Sequence, residues 1–175
     1  MSREIQRSFR ENFCSVVMLC DIDHFKRVND QYGHSAGDDV LREVARRLQH
    51  AVRSYDMVGR YGGEEFLILL NRCDPASAMA RGDNLRKAIS CRPMLAHGES
   101  LEVTISVGLA RSCDHAGCDA DEIIQKADTA LYVAKAAGRN CVRVAGEESA
   151  KEEASEKQNG ARTASFARRR VSEAI

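Results

Sequence analysis

The chain has 175 residues, 43% of them hydrophobic and 30% charged, and its 26 Lys plus Arg equal its 26 Asp plus Glu. That is apolar material for one packed core, and a single domain is the economical count. The even charge balance argues against a broad nucleic-acid or membrane surface. No stretch approaches a transmembrane helix and the N-terminus lacks a signal peptide's apolar core, so a cytosolic location is expected.

The opening to about Asn12 is polar and Arg-rich, and residues 1–13 are expected to form a partial helix or a linker remnant. Cys14-Ser15-Val16-Val17-Met18-Leu19-Cys20 is short, bounded and β-branched, which reads as a buried strand. A helical stretch from about His24 to Gln31 closes at Tyr32-Gly33-His34, and from Ala36 onward Val40, Leu41, Val44, Leu48 and Val52 recur at helical spacing. Met57-Val58 and Leu67-Ile68-Leu69-Leu70 flank a tight hairpin. Residues from about 75 to 90 look helical, with Ala78, Leu85, Ala88 and Ile89 on one side despite Gly82. Leu101, Val103, Ile105, Val107 and Leu109 alternate with smaller or polar residues and predict one half-buried strand. A last helix, capped by Asp119 or Asp121, carries Ile123, Ile124, Ala127, Ala130, Leu131 and Ala134 and stops at Gly138, and Cys141-Val142-Arg143-Val144 closes the sheet. The order predicts an α/β fold with a single mixed, mainly antiparallel sheet and flanking helices. Beyond Ala145 the chain turns polar, so 146–175 is expected to be a disordered tail with Arg168-Arg169-Arg170 as a solvated terminus.

Seven cysteines, several in apolar runs such as Cys14, Cys20 and Cys141, suggest reduced and mostly buried thiols. Cys113, His115 and Cys118 raise the question of zinc, but no second pair with ligand spacing follows them.

The chemistry is concentrated in two acidic elements. Tyr61-Gly62-Gly63-Glu64-Glu65-Phe66 places two glycines and two carboxylates at the hairpin tip, where Gly permits close backbone approach and the acids supply hard oxygen ligands for Mg²⁺. The plain alternative is a solvated turn. Asp21-Ile22-Asp23-His24-Phe25-Lys26 delivers Asp21 and Asp23 to the end of the first strand. If the strands are neighbours, Asp21 and Glu64 converge, and the Ile22 carbonyl could complete a Mg²⁺ site that otherwise uses water and phosphate oxygens.

These residues, with Asn29-Asp30, Tyr32-Gly33-His34, Gly37-Asp38, Val103-Thr104-Ile105-Ser106-Val107-Gly108, Ala127-Asp128 and the run from Leu131 to Asn140, resemble the GGDEF family of diguanylate cyclases in its GGEEF variant. The resemblance covers about residues 14 to 144 and implies a catalytic domain over 14–145 with a palm-like nucleotidyl cyclase fold. It implies that each domain binds one GTP and that two domains meet as a transient homodimer to make cyclic di-GMP. Asp21, Ile22 and Glu64 match the family's Mg²⁺ or Mn²⁺ ligands, and Glu64 is also the candidate base. Glu65 matches the second acid, with metal contact or hairpin support both open. Asn29 and Asp38 match the guanine-reading pair, Lys26, Lys135 and Arg139 the triphosphate contacts, and the N–H groups around Phe25 add to that cradle. Arg53-Ser54-Tyr55-Asp56 matches an inhibitory Arg-x-x-Asp motif that binds the product, with Arg81 or Arg86 as candidate partners. The family's usual opening segment and any sensory domain are missing from the sequence, so an excised, weakly dimeric catalytic domain is expected. A non-catalytic receptor of cyclic di-GMP or GTP is the alternative.

Overall fold

In the computed structural model the described residues are 2–11, 13–112 and 119–146. The elements are α1 (Ser2–Arg10), β1 (Val16–Ile22), α2 (Phe25–Ala51), β2 (Met57–Arg60), β3 (Glu65–Leu70), α3 (Pro75–Ser90), β4 (Met94–Ala96), β5 (Glu99–Leu101), β6 (Ile105–Arg111), α4 (Ala120–Ala136) and β7 (Val142–Val144). Among the described residues, no helix is long and apolar enough to cross a membrane.

The main sheet runs β2-β3-β1-β6-β7. Its pairs are antiparallel except β6 with β7, so the mixed, mainly antiparallel sheet stands. Period-two alternation sorts β1 between two cores. Val16, Met18, Cys20 and Ile22 join Val40, Val44, Leu48, Leu85 and Ile89 from α2 and α3. Val17 and Leu19 point the other way, toward Ile123, Ala127 and Leu131 of α4 and Ile5 of α1. A strand buried on both faces needs apolar residues throughout, which is what Val16-Val17-Met18-Leu19 supplies.

The break anticipated at Tyr32-Gly33-His34 is present within α2: Gly33 leaves the helical region at φ 82° and ψ 163°. Gly82 sits inside α3 without interrupting it, and Asp74 caps that helix from its N-terminal side. Asp119, rather than Asp121, caps α4 in a reciprocal box with Glu122.

One expectation about the strands fails. The alternating run from Leu101 to Leu109 is not one half-buried strand. Leu101 ends β5, which pairs only with β4 in a separate hairpin, and β6 starts at Ile105 and is buried through Ala110. The small residues of β6 are buried partners of a close-packed helix rather than a solvent face. A Cβ on Gly108 would overlap the Ala127 carbonyl and the backbone of Leu131. The β4–β5 hairpin was not anticipated. The segment leading into it is held to α2 by Arg47, 6% exposed, whose guanidinium donates to the carbonyls of Ile89 (2.6 Å), Arg92 (2.7 Å) and Pro93 (3.0 Å) and to Glu43 (2.7 Å).

Cys20, Cys73, Cys91 and Cys141 are free thiols, although Cys91 is exposed rather than buried. Burial, then the neighbouring Asp21 charge, pushes the Cys20 thiol up to about 12. Cys14 departs from the expectation of reduced cysteines, being disulfide-bonded. Apolar neighbours predict that a sulfur is sheltered and say nothing of a second sulfur within bonding distance. The zinc question at Cys113, His115 and Cys118, and the expected tail from 147 on, lie outside the described residues.

Candidate active site

The register of β1 and β3 sets Asp21 opposite Glu65, and the next bond outward runs from the Ile22 N–H to the Glu64 carbonyl at 3.3 Å. The two acidic elements singled out in the sequence therefore do converge at one end of the sheet. Asp21 is nearly buried, and its carboxylate meets Lys135 Nζ at 2.7 Å. Burial raises the Asp21 carboxyl above its ordinary range, Lys135 works in the opposite direction, and the Asp23 charge adds to the rise. The Glu64 carboxyl is also raised, first by burial and then by the charge on Asp21. A carboxyl raised by burial beside a second one raised by burial and by its charge makes a site where a cation is favourable, and Lys135 supplies part of that charge.

Among the described residues, no three metal-ligating side chains cluster. Two carboxylates and a carbonyl suit Mg²⁺, which keeps water and takes phosphate oxygens instead of an all-protein cage.

The Glu65 carboxylate lies at the turn. A Cβ on Gly62 would lie 2.6 Å from Glu65 Oε2, so the carboxylate lies over that glycine. The Glu65 carbonyl also accepts from the Tyr61 N–H at 2.8 Å. Arg60 staples the same turn, with Nε donating to the carbonyls of Gly62 (3.2 Å) and Gly63 (3.1 Å) and Nη2 to Gly63 (2.6 Å).

Lys26 is exposed in the first turn of α2, while the Phe25 side chain is buried in the core. His24 enters the helix in the left-handed region at φ 58° and offers no side-chain cap to the first-turn N–H groups. Arg139 is exposed just beyond α4, close enough to Asp21 to lower its carboxyl. The Gly33 break folds α2 so that Asn29 reaches Gly37, where a Cβ would overlap Asn29 Oδ1. Asp38, the next residue, is exposed and lines a cleft of about 390 Å³ with Leu41, Arg60 and Phe66. Asn29 thus lies against the residue before Asp38, and Asp38 faces a cleft between α2 and the hairpin.

Arg53 and Asp56 lie on the loop between α2 and β2. Asp56, its side chain 1% exposed, accepts from the Arg53 N–H (3.0 Å), the Asn71 N–H (3.1 Å) and the Arg81 guanidinium (3.0 Å). The Arg53 guanidinium instead donates to the Tyr55 hydroxyl at 2.7 Å. Of the two candidate partners, Arg81 reaches this locus, while Arg86 pairs with Asp83 (2.7 Å) and Asn140 (2.8 Å).

Arg60 was absent from the sequence-based site. Its signal was available, because a lone Arg preceding a Gly-Gly turn has free carbonyls within reach of its fork.

The family model "Diguanylate cyclase, GGDEF domain" matches residues 1–141. Diguanylate cyclase A of Treponema denticola is 42% identical over 126 residues, covering 72% of this chain and 34% of that protein. Response regulator PleD of Caulobacter vibrioides is 43% identical over 128 residues, covering 72% and 28%. The chain thus spans about a third or less of these two relatives. Among solved structures, the GGDEF domain of DgcB from Caulobacter crescentus, in complex with c-di-GMP, superposes with a TM-score of 0.77 at 31% identity, covering 82% of this chain and 85% of that one. The active GGEEF domain of a diguanylate cyclase from Vibrio cholerae gives 0.74 at 31% identity, covering 82% and 90%. With a model match over most of its length and relatives of this identity, the chain belongs to the GGDEF domain family of diguanylate cyclases.

Proposed function

We propose that this chain condenses two GTP molecules into cyclic di-GMP and two pyrophosphates, with each of two protomers holding one GTP. The observation that carries this reading is the meeting of Asp21 and Glu64 at the end of β1, with Lys135 against them. Asp21, Glu64 and the Ile22 carbonyl would hold Mg²⁺ or Mn²⁺. When bound, the ion neutralises phosphate charge and acidifies a hydroxyl in its coordination sphere.

The chain's own residues do the rest. Lys26, Lys135, Arg139 and the N–H groups at the start of α2 bind the triphosphate. Asn29 and Asp38 read guanine, whose N1 and N2 protons a carboxylate accepts and which adenine does not present as a pair. Glu64, with its carboxyl raised toward the working pH, takes the proton of the 3′-hydroxyl. That oxygen bonds to the α-phosphorus of the facing GTP, the bond to the β-phosphate oxygen breaks, and pyrophosphate leaves. The same step in the opposite sense closes the ring. Two equivalent linkages suit two identical half-sites across a twofold axis. GTP supply puts this segment in the cytoplasm.

Arg53, Asp56 and Arg81 support product inhibition, since an Arg fork and a carboxylate recognise the two edges of guanine. Asp56 already accepts three bonds, one of them from Arg81, so product competes with Arg81 for this carboxylate or binds through Arg53.

The test is incubation with GTP and Mg²⁺, with products identified by chromatography and mass, beside Glu64→Ala. Cyclic di-GMP from the parent chain and none from the variant is expected. Absence of product, with cyclic di-GMP bound in an Arg53-dependent way, would replace this reading with the receptor.

A further inference from the structure

Asp23 is the acid of the first motif that the proposed chemistry leaves without a part. It is 7% exposed, yet it does not join Asp21 and Glu64 in a three-acid cluster. Its carboxylate is occupied from two directions. Oδ1 accepts from Ser106 Oγ at 2.6 Å, and Oδ2 accepts from Thr104 Oγ1 at 2.6 Å and from the Asn140 N–H at 3.0 Å. Its own N–H donates to the Thr104 carbonyl at 3.0 Å. An ionised carboxylate offers about four acceptor positions, and three are filled by fixed donors.

The donors belong to separate parts of the fold. Ser106 is in β6 and Thr104 just before it, whereas Asn140 lies in the turn after α4. That turn has Gly138, Arg139 and Asn140 in succession at φ 106°, 65° and 44°. Two non-glycine residues in the left-handed region need outside bonds to hold them there. The Asn140 N–H bond to Asp23 is one, and the Asn140 side chain's bond from Arg86 is another. Arg139 is the residue between Gly138 and the tied Asn140, and Lys135 is in the last turn of the preceding helix.

We propose that Asp23 is a positioning residue. By tying the turn after α4 to the ends of β1 and β6, it sets Arg139 and Lys135 at the phosphate end of the site, and it is not a metal ligand. This rests on the phosphate-binding role proposed above for those two residues. It follows that Asp23 acts on the triphosphate and not on the base. Asn in its place retains an acceptor for the Asn140 N–H and can donate to the Ser106 hydroxyl, so Asp23→Asn is expected to keep most of the function.

Two measurements on the full chain test this. The first is hydrogen exchange at the Asn140 amide without nucleotide. It should quicken at least tenfold in Asp23→Ala and stay within about threefold of the parent in Asp23→Asn, and unchanged exchange in Asp23→Ala would overturn the proposal whatever the chain binds. The second is the affinity for an α,β-methylene GTP analogue and for GMP, each with Mn²⁺. Asp23→Ala should weaken the triphosphate at least tenfold and GMP less than twofold. Equal losses for both ligands, or recovery of the triphosphate at high Mn²⁺, would overturn it in favour of a general structural role or a metal ligand. If Asp23→Ala does not fold, Thr104→Val removes a single donor and should show the same selectivity at smaller size. Failure of the parent chain to bind the analogue would count against the cyclase reading, while the exchange measurement would still decide the position of the turn.

Discussion

Replacing Gly108 with Ala presses directly on the contact that seats α4. The added Cβ would lie 2.7 Å from Leu131 Cα and closer still to the Ala127 carbonyl and the Leu131 nitrogen, all of them backbone atoms that no rotamer change can move. Bringing 2.7 Å out to the 3.4 Å at which ordinary contact begins requires α4 to retreat from β6 by at least about 0.7 Å. Overpacking costs about 1–3 kcal/mol, and a clash with backbone belongs at the upper end, ~3 kcal/mol. At roughly 3–4 °C per kcal/mol for a unit of this size, the melting temperature should fall by about 10 °C. Lys135 lies one turn beyond Leu131, so its 2.7 Å bond to Asp21 moves with the helix. A displacement near 1 Å at a catalytic site costs about a hundredfold in rate, so turnover should fall ~10- to 100-fold even at temperatures where the variant is folded. Thermal melts and initial rates of GTP consumption measure both. A melting temperature within 1 °C of the parent, or full activity in the folded variant, would refute the close approach of α4 to β6 as the element that sets Lys135.

Other perturbations give equally direct expectations. The Glu64 carboxyl is raised in the folded chain, so its favourable contribution is complete at low pH and is lost as pH rises through its folded value. Glu64→Gln should therefore melt higher than the parent at about pH 8, with the gain vanishing below about pH 4, where Glu itself is protonated. A lower melting point at pH 8 would contradict the burial and the Asp21 charge that raise this carboxyl. Removing the three bonds of Arg60 to the turn carbonyls should leave stability within about 1 kcal/mol, since the side chain is exposed, while activity drops roughly tenfold in both Arg60→Ala and Arg60→Lys. Parent-like activity in both variants would show that the staple does not orient Glu64. Arg47→Met strands the carbonyls of Ile89, Arg92 and Pro93 and should cost about 3 kcal/mol in urea unfolding, and a loss below 1 kcal/mol would contradict that.

Much of this was legible in the sequence because one-dimensional spacing maps onto local geometry. A continuous apolar run gave β1, helical periodicity gave α2 and α4, and Gly-Gly between apolar flanks gave the hairpin with Glu64 at its tip. Even the convergence of Asp21 and Glu64 could be anticipated, since a strand end and a hairpin tip meet when their strands pair. The β4–β5 hairpin was hidden because Val103, in the link before β6, and Leu101, in a different sheet, continue the alternation of β6, and alternation does not say which partner a strand has. Asp23 was placed correctly at the strand end but not explained. Its partners Thr104, Ser106 and Asn140 lie 81, 83 and 117 residues away, and no local pattern connects them. The disulfide at Cys14 likewise leaves no mark on its sequence neighbours.

The claim that two identical half-sites build one product is tested most directly by the order of the reaction in protein. Initial rates of cyclic di-GMP formation should be measured at saturating Mg²⁺ and GTP across a dilution series, with sedimentation velocity on the same samples. Where the chain sediments as a monomer, doubling its concentration should raise the rate about fourfold. A rate that only doubles, with product still formed by a sedimenting monomer, would contradict the dimeric site.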